Sequence, residues 1–515
     1  MSDVIEAMRA RRRTAQVERD AIQPLLDEAF DYAIPYRRST RRTGKGEKRV
    51  DRVFDQTAVV SAFRFAGKLQ QDLVPTGQEF YTLEPGPIGK RITAQDGSTD
   101  NLTQQLSDIG ETTHALFDDG EWDQAFLEMA LDLSAGTGAM LILEGDDRRP
   151  ARFISVAIDE VLLEGGPYND ITGIFWSRKW SLRSVMETWP DARLGPELSQ
   201  LLKSKPETEI EVNQDTVWDP KARRWILTVW TDKAKEPIHE SKTVACPWLT
   251  PRYFRVPGET YGRGPVMLAM PTIKTLNTAQ RLTLQAAAIA MMGIYTAVDD
   301  GVFNPDLAAV EPGIFWKVAR NGGTLGPSVQ RLQDPRLDLS NIVLNELRMG
   351  VQAAMMDQSL PADGAAVRSA TEILERVKRL ASDHLGAFGR LVREIIVPAV
   401  QRVMEIAANK MLIQNAPPID QLLVKIRVTS PIAAAREAER VQKIIQWLEM
   451  IIALLQDNAG RVGHIENALL QVGRAMGVPE ELLVTETQRE KMDQDDATAA
   501  AAAAVVGAAD GGMPA

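Results

Sequence analysis

Apolar residues recur at helical spacing over residues 1–35, where Val4, Met8, Val17, Ile22, Leu25, Leu26 and Phe30 are separated by charges, and Pro35 ends the run. The spacing returns from Phe54 to Leu73 and predicts a second helix. Prolines and glycines at 75, 77, 85, 86 and 87 then enclose a short strand, 79–83. A helix-turn-helix pattern fills 102–133. Beyond it the texture turns to β: 139–143, 153–163 and 171–180 are rich in β-branched and aromatic residues, and the turn-forming run 164–170 joins the last two. Residues 225–231 and 244–256 continue it.

Tyr261, Gly262, Arg263, Gly264 and Pro265 punctuate the chain before a helix over 266–292, about 40 Å long, with Pro271 limiting its first turns. Turn chemistry dominates 293–337 and encloses strand-like runs such as 314–318, a small β-containing excursion. A second helix spans 339–356, with Ser340 as its N-cap. Residues 357–368 form a loop. Ser369 and Glu372 fit a capping box opening a helix to about 414, kinked at Pro398. Pro417 and Pro418 stop it; a strand at 422–428, an amphipathic helix at 433–455 and further helices to about 492 follow. An alanine-rich tail, 497–509, closes the chain. The fold class is α+β, predominantly helical.

The 515 residues are 44% apolar and 25% charged, an ordinary globular composition long enough for several domains. There are 59 basic and 70 acidic residues, a net charge of −11, opposite to what tight wrapping of nucleic acid requires. Basic residues do concentrate locally: Arg37, Arg38, Arg41, Arg42, Lys45, Lys48, Arg49 and Arg52 surround Gly44 and Gly46. That segment is either a solvated arm or a site for phosphate or an acidic partner. The single cysteine, Cys246, excludes an intramolecular disulfide and any zinc site built on several thiolates, as suits a reducing cytosol. The first residues lack the apolar core of a signal peptide, and no stretch reaches the ~20 clean apolar residues of a bilayer span. A chain neither secreted nor membrane-embedded is expected.

Motifs for catalysis are missing. Gly44-Lys45-Gly46 has the wrong continuation for a phosphate-binding loop, and Gly136-Thr137-Gly138 lacks the third glycine of a dinucleotide loop. His114, His239, His384 and His464 are scattered, with no pair four residues apart to chelate a metal. The doublets Asp118-Asp119, Asp146-Asp147 and Asp299-Asp300 fall in turns, where carboxylates are common without a metal. No catalytic residue, cofactor or metal is expected, which favours a structural or assembly role.

Several runs resemble one family: Gly258-Glu259-Thr260-Tyr261-Gly262-Arg263, the run Val367 to Leu380 (VRSATEILERVKRL), Leu483-Val484-Thr485-Glu486 with Gln488 and Lys491-Met492, and the early run from Phe54 to Gly86. With the collinear order of parts over residues 1–492, the chain resembles the portal, or head-to-tail connecting, proteins of T7-like podoviruses. The resemblance implies a ring, usually of about twelve copies, around a channel for double-stranded DNA. It implies a portal fold: wing at 1–265, stem helices at 266–292 and 339–356, clip at 293–338, channel loop at 357–368, second wing part at 369–430, helical crown at 431–492, and a tail at 493–515.

In that architecture the clip docks the terminase motor and later the tail adaptor, so the ring needs no ATPase site of its own. The channel loop contains Asp357, Gln358, Ser359, Leu360, Pro361, Ala362, Asp363 and Gly364, and Arg368, Lys317 and Arg320 are candidates to track phosphates without sequence preference. The basic segment from Arg37 would meet scaffold or major capsid protein. A ring of acidic subunits repels DNA except at such local bases, which favours sliding. The virion's portal vertex is the expected location, with the host cytoplasm during assembly and no membrane. Two other readings stand beside this one: a helical scaffold that binds no DNA, and a metal-dependent nuclease using the acidic doublets.

Overall fold

The computed structural model describes residues 3–38, 53–89, 91, 99–292, 295–297, 329–331, 337–357, 389–413, 423–429, 444–450, 469 and 472–473. Helix α1 covers Asp3–Tyr32 and α2 covers Thr57–Leu73. Helix α2 begins three residues after the expected Phe54 because Asp55 caps it, accepting the Thr57 amide at 2.9 Å. Strand β1, Tyr81–Pro85, lies two residues later than predicted. Helices α3, Thr99–Asp119, and α4, Trp122–Ala135, form the predicted helical pair.

Strands β2, Met140–Glu144, and β3, Ala151–Ser155, follow, then β4, Val161–Gly165, and β5, Ile171–Ser181. The run 153–163 is therefore not one strand. A 3₁₀ turn at Ile158–Glu160 splits it, the Asp132 carboxylate of α4 accepts the Ile158 amide at 3.0 Å, and the halves join different sheets.

Helices α5, Leu182–Thr188, and α6, Pro196–Ser204, precede β6, Glu209–Asp219, β7, Arg224–Trp230, and β8, His239–Thr243. The expected β stretch at 244–256 yields only β9, Trp248–Leu249. Pro247 and Pro251 have no amide to donate, the Val244 and Ala245 amides go to the Glu405 carboxylate at 2.6 and 3.1 Å, and the Arg252 amide goes to Glu394 at 2.8 Å.

Helix α7 spans Pro265–Met292; β10, Tyr295–Ala297, β11, Val329–Arg331, and α8, Leu337–Ala354, follow. Because α8 starts at Leu337, Ser340 lies inside its first turn and is not the N-cap. At Pro398 the long helix changes hydrogen-bond register: a π-helical turn, Val392–Ile396, runs into α9, Val397–Asn409. The helix ends short of 414, and Met411 takes a left-handed φ of 57°. Strand β12, Val424–Val428, is close to the predicted 422–428. Residues 444–450 of the predicted amphipathic helix are helical; most of the remaining C-terminal predictions lie outside the described residues.

The chain divides into two compact units. The first, Met1–Ile22, Phe65–Gly264 and Leu360–Ala515, contains an antiparallel sheet ordered β4-β5-β6-β7-β8, a smaller sheet β3-β2-β9, and the pair β1-β12. That last pair sets Tyr81 opposite Val428 and so ties distant parts of the chain together. The register of the large sheet puts Phe175, Ser177, Asn213, Asp215, Val217, Thr228 and Trp230 on one face. The start of α1 docks there: Ala15 packs on Phe175 and Val217, and Arg12 pairs with buried Asp215 at 2.6 Å. Trp230 Nε1 also donates to Asp215, at 2.7 Å, yet burial outweighs these partners and holds the carboxyl above its ordinary range.

The opposite face packs Ile210, Val212 and Val229 against Leu182, Val185 and Leu198 of α5 and α6. A third cluster joins Phe80, Tyr81, Phe117, Trp122, Phe126 and Phe153, with Phe117 edge-on to Trp122 at 5.0 Å. Among its described residues the second unit, Gln23–Arg64 and Pro265–Ser359, has helices and the short strands β10 and β11.

Candidate functional site

In the second unit α7 and α8 run antiparallel side by side: a Cβ on Gly350, near the end of α8, would lie 3.8 Å from Thr272, near the start of α7. The chain leaves α7 and returns to α8 through an antiparallel ladder, Tyr295 opposite Arg331 and Ala297 opposite Val329, which encloses residues 298–328 in sequence. Helix α7 has only two charged side chains, Lys274 and Arg281. Val266, Ala269, Met270, Ile273, Leu276 and Asn277 are buried. The opposite positions, Leu268, Pro271, Thr275, Thr278, Leu282 and Gln285, alternate three and four residues apart and are all exposed. Leu268 and Leu282 are 64% and 55% accessible, and Ile342 on α8 is 66% accessible. An uncharged stripe of about 26 Å is thus left uncovered on α7.

Polar ties hold the pair within its unit. Asn277 Oδ1 accepts the Phe54 and Asp55 amides at 2.6 and 3.3 Å, and Arg348 reaches Asp55 at 2.9 Å and Gln280 at 3.2 Å. Burial opposes the Asp55 charge, but the hydroxyl and amide of Thr57 and the Arg348 guanidinium outweigh it, and its pKa lies below the ordinary carboxylate value. Past the end of α8, Asp357 accepts Ser61 Oγ at 2.7 Å and Arg64 at 3.3 Å. Lys274 pairs with Glu28.

The run Gly258–Arg263, just before α7, is explained by packing in the first unit. A Cβ on Gly262 would meet the Gly136 carbonyl at 2.5 Å, and one on Gly264 would meet the Ser134 carbonyl at 2.1 Å. The Tyr261 hydroxyl accepts the Leu163 amide at 3.0 Å, with Arg19 over its ring at 5.1 Å. Gly262 donates to Thr137 at 2.8 Å. The same contacts account for Gly136 without any nucleotide.

Of the predicted site residues, Asp357, Arg37 and Arg38 are described. Asp357 is anchored as above, and Arg38 pairs with Asp27 and Asp31. Arg368, Lys317, Arg320, Gln358, Ser359, Leu360, Pro361, Ala362, Asp363, Gly364, Arg41, Arg42, Lys45, Lys48 and Arg49 lie outside the described residues. Sequence reasoning missed the Asp55–Arg348 tie and the uncovered α7 stripe. The stripe's signal was present, as six uncharged positions at heptad-like spacing.

Several of the described residues considered for chemistry have structural employment; Asp299, Asp300, His384 and His464 lie outside the described residues. Asp146 accepts the Arg148 and Arg149 amides at 3.1 and 2.9 Å, and Asp118-Asp119 sit in the last turn of α3, not in a loop. His114 Nε2 bonds the Tyr81 carbonyl at 2.9 Å, and His239 stacks on Trp189. Burial pushes the Cys246 thiol up to about 12. Among the described residues no group of three or more His, Cys, Asp or Glu converges on a metal position, and no helix is long and apolar enough to cross a membrane.

The family model for the bacteriophage head to tail connecting protein matches residues 6–483, nearly the whole chain. The chain belongs to that family. A search of curated proteins finds no match. Membership gives the connector its coarse role: a structural, generally non-enzymatic component of the phage head–tail junction in the virion, assembled as an oligomeric ring.

Proposed function

We propose that the connector is the portal subunit of a T7-like podovirus, forming a ring of about twelve copies through which double-stranded DNA enters the head and later leaves it. The uncovered, uncharged α7 stripe supports this reading best. A monomer gains nothing by exposing Leu268 and Leu282, whereas a ring covers such a stripe with its neighbour. In this reading α7 and α8 are the stem, the segment 293–338 is the clip that docks the terminase motor and then the tail adaptor, and the wing and crown occupy 1–265 with 369–430, and 431–492. The loop starting at Asp357 faces the channel, where Arg368, and Lys317 and Arg320 from the clip, contact phosphates without reading bases. The segment from Arg37 to Arg49 meets scaffold or major capsid protein.

The acidic chain suits a conduit, because a net charge of −11 per copy disfavours gripping the polyanion outside those local bases. Electron microscopy of the purified full chain is expected to show rings, and packaging with Arg368→Ala to show weakened DNA retention. Monomers at every salt concentration contradict the ring. Normal packaging and retention remove Arg368 from the channel.

A further inference from the structure

We propose that each subunit of the ring inserts the Tyr168 turn of its β4–β5 hairpin into a pocket floored by Phe153 on the next subunit. This rests on the ring reading above and names one of its contacts.

Tyr168 is 89% accessible, the most exposed large apolar side chain described. Its turn is nevertheless fixed. Gly166 donates to the Asp170 carbonyl at 2.7 Å, Asn169 donates to the Gly166 carbonyl at 3.0 Å, and Asn169 holds a left-handed φ of 62°. The Asn169 carbonyl in turn accepts the Arg252 guanidinium at 3.0 Å and that of Arg255. An aromatic side chain on so constrained a turn loses little backbone entropy on docking, the property expected of an anchor.

The pocket lies at another hairpin, β2–β3, of the other sheet, and has a volume of about 390 Å³. Phe153 lies at its base, braced by Phe117 at 5.3 Å and Trp122 at 5.0 Å, and Ile154 is exposed beside it. Arg149 and Arg152 at the rim pair with Glu121 and Asp146. The Arg148 guanidinium has no partner among the described residues, and neither has the Asp170 carboxylate on the turn. An aromatic tip with a spare carboxylate therefore matches an aromatic floor with a spare guanidinium. A ring demands this kind of contact, because its interface joins two different patches of identical subunits. Both patches belong to the first unit, so the contact is separate from the α7 stripe.

Cysteine cross-linking tests the contact, since Cys246 is the only native cysteine. Full-length chains carrying Tyr168→Cys and Ile154→Cys are co-expressed, purified as rings and treated with a short bis-maleimide. Covalent dimers from the co-expressed pair, and none from rings of either variant alone, support the proposal. Intact rings without this cross-link overturn it and leave the ring reading standing, whereas absence of rings even for the unmodified chain overturns both. Charge exchange is the second measure. Arg148→Asp and Asp170→Arg should each weaken assembly by about tenfold, with the double variant restoring it; a double variant no better than the single ones overturns the contact.

Discussion

The sheet-rich first unit and the helix pair of the second solve the same problem, covering apolar surface, in opposite ways. The first unit covers most of its own, the Tyr168 turn and Ile154 apart. Its large sheet has α1 on one face and α5 and α6 on the other, and its aromatic cluster is enclosed, with Trp122 only 2% accessible. The helix pair buries one side of α7, ties itself down with Asp55, Asn277 and Arg348, and leaves Leu268 and Leu282 uncovered. The contrast separates residues that make the subunit fold from residues that make it associate, and substitutions in the two places should fail differently.

The largest effect on folding is expected in the first unit. Arg12→Ala strands the buried Asp215 carboxylate without its cation and should cost about 3–5 kcal/mol in denaturant unfolding. A cost below about 1 kcal/mol, the scale of a surface pair, would mean that the carboxylate is relieved in some other way. Asp55→Ala removes both the α2 cap and the Arg348 pair, and about 2 kcal/mol is expected from equilibrium unfolding. Because the folded Asp55 pKa lies below its unfolded value, its contribution is complete above the unfolded value near 3.8 and is lost as pH falls through the folded one. Protection factors of the amides at the start of α2, corrected for intrinsic exchange, should fall only in that acid range; loss of protection already at pH 6 would contradict the assignment. The smallest effect on folding belongs to Leu282→Glu, within about 0.5 kcal/mol for an exposed side chain, although the same change should abolish ring assembly by placing charge on the stripe.

Helices were legible where the apolar period was long. The predicted 266–292 and 339–356 became Pro265–Met292 and Leu337–Ala354. Strands were legible where branched and aromatic residues alternate, as in 171–180. Strand β6 was not, because Asn213, Gln214, Asp215 and Thr216 break the apolar alternation; Ser177 bonds Asn213, Arg12 and Trp230 bond Asp215, and Trp248 bonds Thr216 in the buried strand. Tertiary partners far away in sequence likewise dissolved the expected strand at 244–256, whose amides go to Glu405 and Glu394. Gly262 and Gly264 stood out as a motif, but their purpose, close approach to residues 134–136, needed the fold.

The most direct test of the connector's ring is native mass spectrometry of the full chain beside its Leu268→Glu, Leu282→Glu double variant. The account predicts one species at a high multiple of 56.8 kDa, near twelve, for the unmodified chain, and a folded monomer for the variant. A monomeric unmodified chain, or a variant that assembles normally, contradicts it.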